Sequence, residues 1–182
     1  MAESVELSGA AHLPAAIAPR SQVEHVREQA ASVTALRLEG PGPSVAARCR
    51  HLRDWIGAVA ATEELHSINS RALWRELRHV ELLAHPAFRI VWRLSLPPSR
   101  ASAIVAAIRA ALRADDPTAD PQYFYDWSGG LVWLSLPASD HAHAALVRGA
   151  VGEHGNATLL RAPEQVRGKV KVFQPLPAAL DA

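Results

Sequence analysis

The chain has 182 residues, of which 49% are hydrophobic, and it carries 19 Lys and Arg against 18 Asp and Glu. This length and apolar content suffice for a buried core and favour one soluble domain with at most an appendage. The formal net charge of +1 excludes the strong overall field by which many proteins attract nucleic acid or an anionic membrane. We therefore predict no nucleic-acid partner.

The cysteine content and the N-terminal residues of the chain indicate the cellular compartment. Cys49 is the only cysteine, so no intramolecular disulfide and no cysteine metal cage can form, which favours a reducing compartment. The N-terminus has no basic region followed by a long apolar run, so we predict neither a signal peptide nor a membrane span. His141 and His143 are two residues apart near a predicted helix start and do not converge. We predict a cytoplasmic protein without a metal site.

The first half of the chain predicts a βαβα segment after an entry segment. Residues 1–31 mix proline, glycine and short polar runs, and we expect them to be loosely ordered and to lie over the domain without building its core. A β-rich run predicts a strand over residues 33–39, and apolar spacing of three and four predicts a helix over residues 45–57. A short, weak strand is predicted over residues 63–68, and a second helix over residues 70–83.

The second half is clearer, because residues 88–96 alternate strictly between two faces. Phe88, Ile90, Trp92, Leu94 and Leu96 lie on the predicted core face, and Arg89, Val91, Arg93 and Ser95 lie on the other. An alanine-rich helix, a hairpin around residues 128–130, a second helix and a last strand follow. Residues 88–161 therefore predict a ferredoxin-like βαββαβ unit.

Together these segments predict an α+β fold. If both units share one antiparallel sheet, right-handed crossovers place the helices on one face and leave the opposite face for a ligand, a second domain or a second subunit. We assign residues 32–177 to this domain and residues 178–182 to a frayed tail.

Two arginines on the predicted open face are candidate substrate-binding residues. Arg89 and Arg93 are four residues apart on one strand, which separates them by about 13 Å. They cannot clamp one small carboxylate together, but each suits a separate carboxylate or phosphate. The alternative is that they are outward arginines, or that they pair with a neighbouring domain.

The position of the aromatic residues depends on the hairpin register. Tyr123, Tyr125 and Trp127 share one strand face. A turn of odd length places them beside Trp133 on the same face as the arginines, where they suit a flat, partly anionic ligand or a hydrophobic interface. A two-residue turn pairs them with Val132 and Leu134 on neighbouring strands and makes them core. The sequence leaves both registers open.

Several segments resemble one enzyme family. They include WRLSLPPS (92–99), YDWSGGLVWLSLP (125–137), GNATLLRAPEQVR (155–167), VTALRLEGPGPSVAAR (33–48) and VFQPLP (172–177). In their order along the chain they resemble the C-terminal half of the FAD-binding E subunit of bacterial glycolate oxidase, in the FAD-linked oxidase family of vanillyl-alcohol-oxidase type. The resemblance covers about residues 7–177.

The resemblance implies a ferredoxin-like C-terminal domain that covers the isoalloxazine of FAD and shapes the substrate side. The family's N-terminal FAD-binding domain and its closing Asn-Pro-Gly-Arg-like tail are expected to be missing, so the chain is expected to be inactive alone. By resemblance, Tyr125, Asp126, Trp127 and Arg161 occupy cofactor-side motif positions, and Arg93 lies in a substrate-side motif. The implied partners are a flavin-binding domain or other glycolate oxidase subunits, including an iron–sulfur subunit. No catalytic base is identifiable.

Three functions are therefore considered. The first is a flavin-capping, substrate-side domain of a glycolate-oxidase-type FAD oxidoreductase, present as a fragment. The second is a non-catalytic interaction module that forms a homodimer, or pairs with oxidase subunits, through its open sheet face. The third is a sensor of 2-hydroxy or 2-oxo acids on the same fold, which would bind them without FAD.

Overall fold

The structure, a computed structural model, describes residues 5–175. Within them one antiparallel sheet contains β1 (Gly9–Leu13), β2 (Val33–Arg37), β3 (Ile90–Ser95), β4 (Gln122–Asp126), β5 (Leu131–Leu136) and β6 (Asn156–Arg161). The helices are α1 (Glu24–Arg27), α2 (Gly42–Ile56), α3 (Ser67–His79), α4 (Pro98–Asp115), α5 (Ala144–Val151) and α6 (Glu164–Arg167). The predicted α+β class with an antiparallel sheet is confirmed.

The strands lie in the order β2-β1-β4-β5-β3-β6. The last four form the predicted βαββαβ unit: β3 and β5, its first and third strands, pair at the centre, and β6 and β4 flank them. β1 pairs with β4 and β2 pairs with β1, both antiparallel. The two halves of the chain therefore share one sheet.

One face of the sheet packs against α4 and α5. The alternation predicted for β3 is observed over Ile90, Trp92 and Leu94, which are fully buried together with Leu134 and Ile108. The indole Nε1 of Trp92 donates to the Ala142 carbonyl at 2.9 Å, so the largest core side chain also satisfies its polar atom. β3 begins at Ile90, so the predicted strand start at Phe88 is two residues too early. Phe88 is exposed, so its predicted place on the core face is wrong.

The opposite face is partly covered, so the expectation that all helices lie on one face is wrong for α3. Leu73 and Leu77 of α3 pack in a second core that includes Val91, Phe124 and Trp133 from the sheet. The crossover rule constrains only helices that connect parallel strands of the βαββαβ unit. Because α3 precedes that unit, it can lie on the other side, and an open groove is left beside it.

The entry segment was predicted wrongly over residues 9–26. Residues 9–13 form β1, and Leu13, Ile17 and Ala18 are buried in the second core. Gly and Ala have low strand propensity, so GAAHL carries no local strand signal. Pairing with β2 and β4 on its two edges overrides that propensity.

A buried carboxylate joins this segment to α3. Glu76 is 3% exposed, and it accepts hydrogen bonds from the Ser21 hydroxyl at 2.7 Å and from the Gln22 backbone N–H at 2.9 Å. The Ser21 hydroxyl in turn accepts from the Val23 backbone N–H at 3.1 Å. These three donors therefore have acceptors, and the segment is held on the helix.

The predicted strand over residues 63–68 is also wrong: residues 61–66 have no regular structure, and α3 begins at Ser67. Only Leu65 within 61–66 is not fully exposed, so no buried face rewards an extended conformation there. The predicted tail over residues 178–182 lies outside the described residues. Across residues 5–175 we find no helix with the length and apolar character needed to cross a membrane.

Candidate functional site

A groove of about 790 Å³ lies between α3 and the second face of the sheet. This volume is in the range of small-molecule binding sites. Its lining side chains and backbone come from the chain before β1, from β1, β2 and α3, and from β3, β5 and the β4–β5 hairpin. The lining residues are Ser8, Gly9, Arg37, Ile68, Arg71, Ala72, Trp74, Arg75, Leu77, Arg78, Arg93, Asp126, Trp127, Leu131 and Trp133.

Arg93 and Trp133 form the floor of the groove. They are directly opposite each other in the antiparallel pair of β3 and β5, so both project from the same face of the sheet. Trp133 is 9% exposed, and its indole Nε1–H is buried without an acceptor within residues 5–175. A buried unpaired donor costs about 1–3 kcal/mol, and this nitrogen is closed to solvent, so Trp133 offers the groove ring surface and no accessible donor.

The β4–β5 hairpin brings Trp127 to the floor. Trp127 and Ser128 have φ values of 51° and 55°, in the left-handed region that non-glycine residues seldom occupy. The Asp126 carboxylate accepts the Trp127 backbone N–H at 2.7 Å, and the Gly130 N–H donates to the Trp127 carbonyl at 2.9 Å. This turn carries Trp127 away from Tyr125 and places its ring 6.0 Å from the Arg93 guanidinium, within reach of a cation–π contact.

Arginines of α3 form the rim. Arg71, Arg75 and Arg78 are spaced by four and three residues and therefore lie on one stripe of the helix. All three are exposed, whereas Leu73 and Leu77 on the other side of the helix are buried. We call these three residues the arginine stripe.

Trp74 and Arg37 close the end of the groove beside β1. The Arg37 guanidinium lies 5.8 Å from the Trp74 ring centre and also pairs with Glu39 at 2.6 Å. Trp74 lies so close to β1 that a Cβ on Gly9 would be 3.0 Å from its ring. Glycine at this position therefore allows the indole to lie against the strand.

The groove is strongly electropositive for a chain that is almost neutral overall. Its lining contains five arginines and a single acidic residue, Asp126. Arg37 is paired with Glu39. Neither Arg93 nor any member of the arginine stripe has a hydrogen-bond or ion-pair partner among residues 5–175. The arrangement suits an anionic ligand with a flat or apolar part that contacts the tryptophans.

Of the six residues singled out from the sequence, the structure brings together Arg93, Asp126 and Trp127. Arg89 lies on the same side of the sheet but outside the groove. It is 8% exposed, and its guanidinium donates to the Ser135 hydroxyl at 2.9 Å and to backbone carbonyls of Ser135 and Asp120. Burial lowers the pKa of Arg89 despite the opposing influence of Asp120. Its donors are used to join two loops to the sheet, so the geometry does not support substrate binding by Arg89.

Tyr125 lies on the other face of the sheet. It pairs with Val132 in β5, which is the second of the two registers considered, because the four-residue loop has the same parity as a two-residue turn. Tyr125 packs against Tyr123, with ring centres 5.5 Å apart, and against His12 at 6.2 Å. Burial, followed by the influence of Tyr123, raises the pKa of Tyr125. The tyrosine is therefore separated from the groove by the sheet.

Arg161 is also placed elsewhere. It donates from Nη1 to the Ala84 carbonyl at 2.6 Å and from Nη2 to the Leu83 carbonyl at 3.2 Å. These are carbonyls of a 3₁₀ turn over Glu81–Leu83 and the residue after it. Arg161 thus binds backbone of its own chain and does not line the groove.

The sequence analysis did not identify Trp133, Trp74 or the arginine stripe as site residues. The spacing of the stripe is visible in the sequence, but it is typical of any solvated helix face. The position of Trp133 relative to the aromatic residues of β4 depends on the hairpin register, which the sequence did not decide. Only the position of α3 over the sheet turns these residues into one site.

The chemistry of the groove is that of anion binding. No group of three or more His, Cys, Asp and Glu residues suited to a metal ion occurs in residues 5–175. Comparison of the chain with protein-family models, with curated proteins and with solved structures found no match.

Proposed function

We propose that this chain is the flavin-covering, substrate-side half of an FAD-dependent 2-hydroxy-acid oxidoreductase of the glycolate oxidase type, acting with a flavin-binding domain. One observation carries the proposal. Arg93, Asp126 and Trp127 belong to two of the segments that resemble the family, WRLSLPPS and YDWSGG, and they meet in one cationic, tryptophan-lined groove.

The groove fits the covering of a flat ring better than the holding of a whole dinucleotide. Trp127 and Trp133 supply aromatic surface, and the Arg93 guanidinium supplies donors. The chain has no glycine-rich phosphate loop, so the phosphates of FAD require the partner domain. FAD supplies the hydride acceptor when it is bound.

Within this proposal the side chains of the groove have distinct tasks. Arg93 binds the substrate carboxylate and orients C2. Conversion of the 2-hydroxy acid to a 2-oxo acid would need an acceptor for the C2 hydride, which bound FAD would supply, and a base for the hydroxyl proton. Asp126 is the only carboxylate among the described residues that line the groove, and within this proposal it accepts that proton.

The test is to titrate the purified chain with FAD, alone and with a separately expressed flavin-binding domain, and then to add glycolate. Flavin absorbance and fluorescence report binding, and bleaching of the oxidised flavin reports turnover. We expect bleaching in the mixture. The variant Arg93→Met should abolish bleaching, and the matched variant Arg50→Met, on an exposed arginine of α2 outside the groove, should retain it.

The competing function is an interaction module that forms a homodimer through the open part of the sheet. Ile68 and Trp127 support it, because they are 75% and 66% exposed at the groove. The charge opposes it, because a two-fold axis through the groove would bring two sets of five arginines together. If sedimentation shows a stable dimer and the mixture shows no flavin response, the oxidoreductase proposal is wrong.

A further inference from the structure

The groove has more positive charge and more room than a short monocarboxylate needs. Glycolate has one negative charge and five non-hydrogen atoms, whereas the groove measures about 790 Å³ and contains the arginine stripe in addition to Arg93. At 1.5 Å per residue, the stripe extends over about 10 Å of helix from Arg71 to Arg78. One carboxylate on Arg93 would leave these three cations without a counter-charge.

Two sets of arginines line different parts of the groove. Arg93 projects from the floor that the sheet forms, and the arginine stripe projects from α3 at the rim. Asp126, the last residue of β4, is the one carboxylate that lines the groove. It forms no ion pair with Arg93 or with the stripe, so neither set has a paired counter-charge among residues 5–175.

We infer that the groove binds an organic dianion, with one carboxylate at Arg93 and a second anionic group, a carboxylate or a phosphate, at the arginine stripe. Arg binds both groups through paired N–H donors. The tryptophan rings that line the groove between Arg93 and the arginine stripe contact the carbon chain of the ligand. The substrate class that follows is a 2-hydroxy acid with a second anionic group. Oxidation of such an acid rests on the proposed function, whereas binding of the dianion does not.

Binding is tested first on the full chain without any flavin. Glutarate and butyrate differ mainly by the second carboxylate, and 3-phosphoglycerate supplies a phosphate at the second position. Affinities are measured by calorimetry at low and constant ionic strength, and tryptophan fluorescence gives an independent readout. We expect glutarate or 3-phosphoglycerate to bind at least about tenfold more tightly than butyrate, which corresponds to at least one well-placed ion pair.

Variants assign the two ends. Arg71→Gln/Arg75→Gln/Arg78→Gln should remove the preference for the dianion and leave butyrate binding within about twofold. The control Arg27→Gln/Arg50→Gln/Arg113→Gln makes the same change in net charge at exposed arginines outside the groove, and it should keep the preference. Arg93→Gln should weaken both ligands by about tenfold, because it removes the charged donors to the shared carboxylate.

The outcomes separate this inference from the proposed function. Equal affinities for glutarate, 3-phosphoglycerate and butyrate, or equal losses in the two triple variants, would overturn the inference even if glycolate bleaches the reconstituted flavin. Preferential dianion binding without any flavin response would sustain the inference and contradict the oxidoreductase proposal. If both hold, 2-hydroxyglutarate should bleach the flavin at lower concentration than 2-hydroxybutyrate.

Discussion

Replacing Glu76 by alanine should destabilise the whole domain, because this carboxylate holds the entry segment on α3. The substitution removes the acceptor for the buried Ser21 hydroxyl and for the Gln22 N–H. A hydrogen bond to a charged group contributes about 1.5–3 kcal/mol. The two bonds share one carboxylate and are not additive, so we expect a loss of about 3 kcal/mol in the free energy of unfolding.

The size of the domain sets the scale of the measurement. For a chain of 150–250 residues, 1 kcal/mol lowers Tm by about 2–4 °C, so the loss corresponds to about 6–12 °C. Urea unfolding followed by circular dichroism gives the free energy, and a thermal scan gives Tm. Glu76→Gln retains one acceptor oxygen and should cost less than half as much.

A double-mutant cycle isolates the contact with Ser21. Ser21→Ala alone leaves the Val23 N–H without its acceptor and should cost about 2 kcal/mol. Ser21→Ala/Glu76→Ala should cost clearly less than the sum of the two single changes. Glu63→Ala, at an exposed carboxylate without a partner among residues 5–175, is the control and should stay within about 0.5 kcal/mol of wild type. The reasoning is refuted if Glu76→Ala also stays within that range.

Three further predictions use the same unfolding assay. Gly155→Ala should lower the free energy of unfolding by about 3 kcal/mol or more, since a Cβ there would be 2.1 Å from the Ser95 carbonyl oxygen. The control Gly149→Ala, with open space around the position on α5, should stabilise the domain by about 0.5–1 kcal/mol. Equal effects of the two variants would contradict the predicted close approach at Gly155. Arg89→Met should lower the free energy of unfolding by about 2–3 kcal/mol, because it leaves the buried Ser135 hydroxyl and carbonyls unpaired. Arg93→Met should lower it by less than about 1 kcal/mol. The reverse order would contradict a structural role for Arg89 and a place in the groove for Arg93. Burial lowers the pKa of His143 below 6.5, against a weaker opposing hydrogen bond to the Pro137 carbonyl, so the unfolded chain binds the proton more readily and stability should fall as the pH drops through 6.5 towards the folded pKa. The variant His143→Asn, which suits the φ of 53° at this position, should flatten the dependence of stability on pH. An unchanged slope would contradict the assignment of that dependence to His143.

The sequence predicted the βαββαβ unit well because its signals are local. Alternation over residues 90–96 fixes a strand and its buried face, and Gly129 and Gly130 mark a hairpin. β1 was missed for the opposite reason. Its sequence, Gly9–Leu13, is mostly small residues, and its extended form is stabilised by backbone pairing with β2 and β4, which are distant in the sequence.

The groove was only half predictable, for a related reason. Arg93, Asp126 and Trp127 were found because they stand in motifs. Arg89 was grouped with Arg93 on periodicity, but it lies one residue before β3, where its side chain reaches the Asp120 and Ser135 backbone. Alternation predicts the face of the sheet on which a side chain lies, but it does not predict which polar groups at the end of a strand the side chain binds.

Net charge was the least informative quantity for this site. A balance of +1 over 182 residues excludes a strong field averaged over the surface, but electrostatic interactions in solution act over about 10 Å at 0.1 M ionic strength. No acidic residue forms an ion pair with the arginine stripe among residues 5–175. The fold places α3, whose one glutamate is buried towards Ser21, over a strand that presents Arg93. The candidate site is therefore a property of the packing of α3 on the sheet, and composition carries no trace of it.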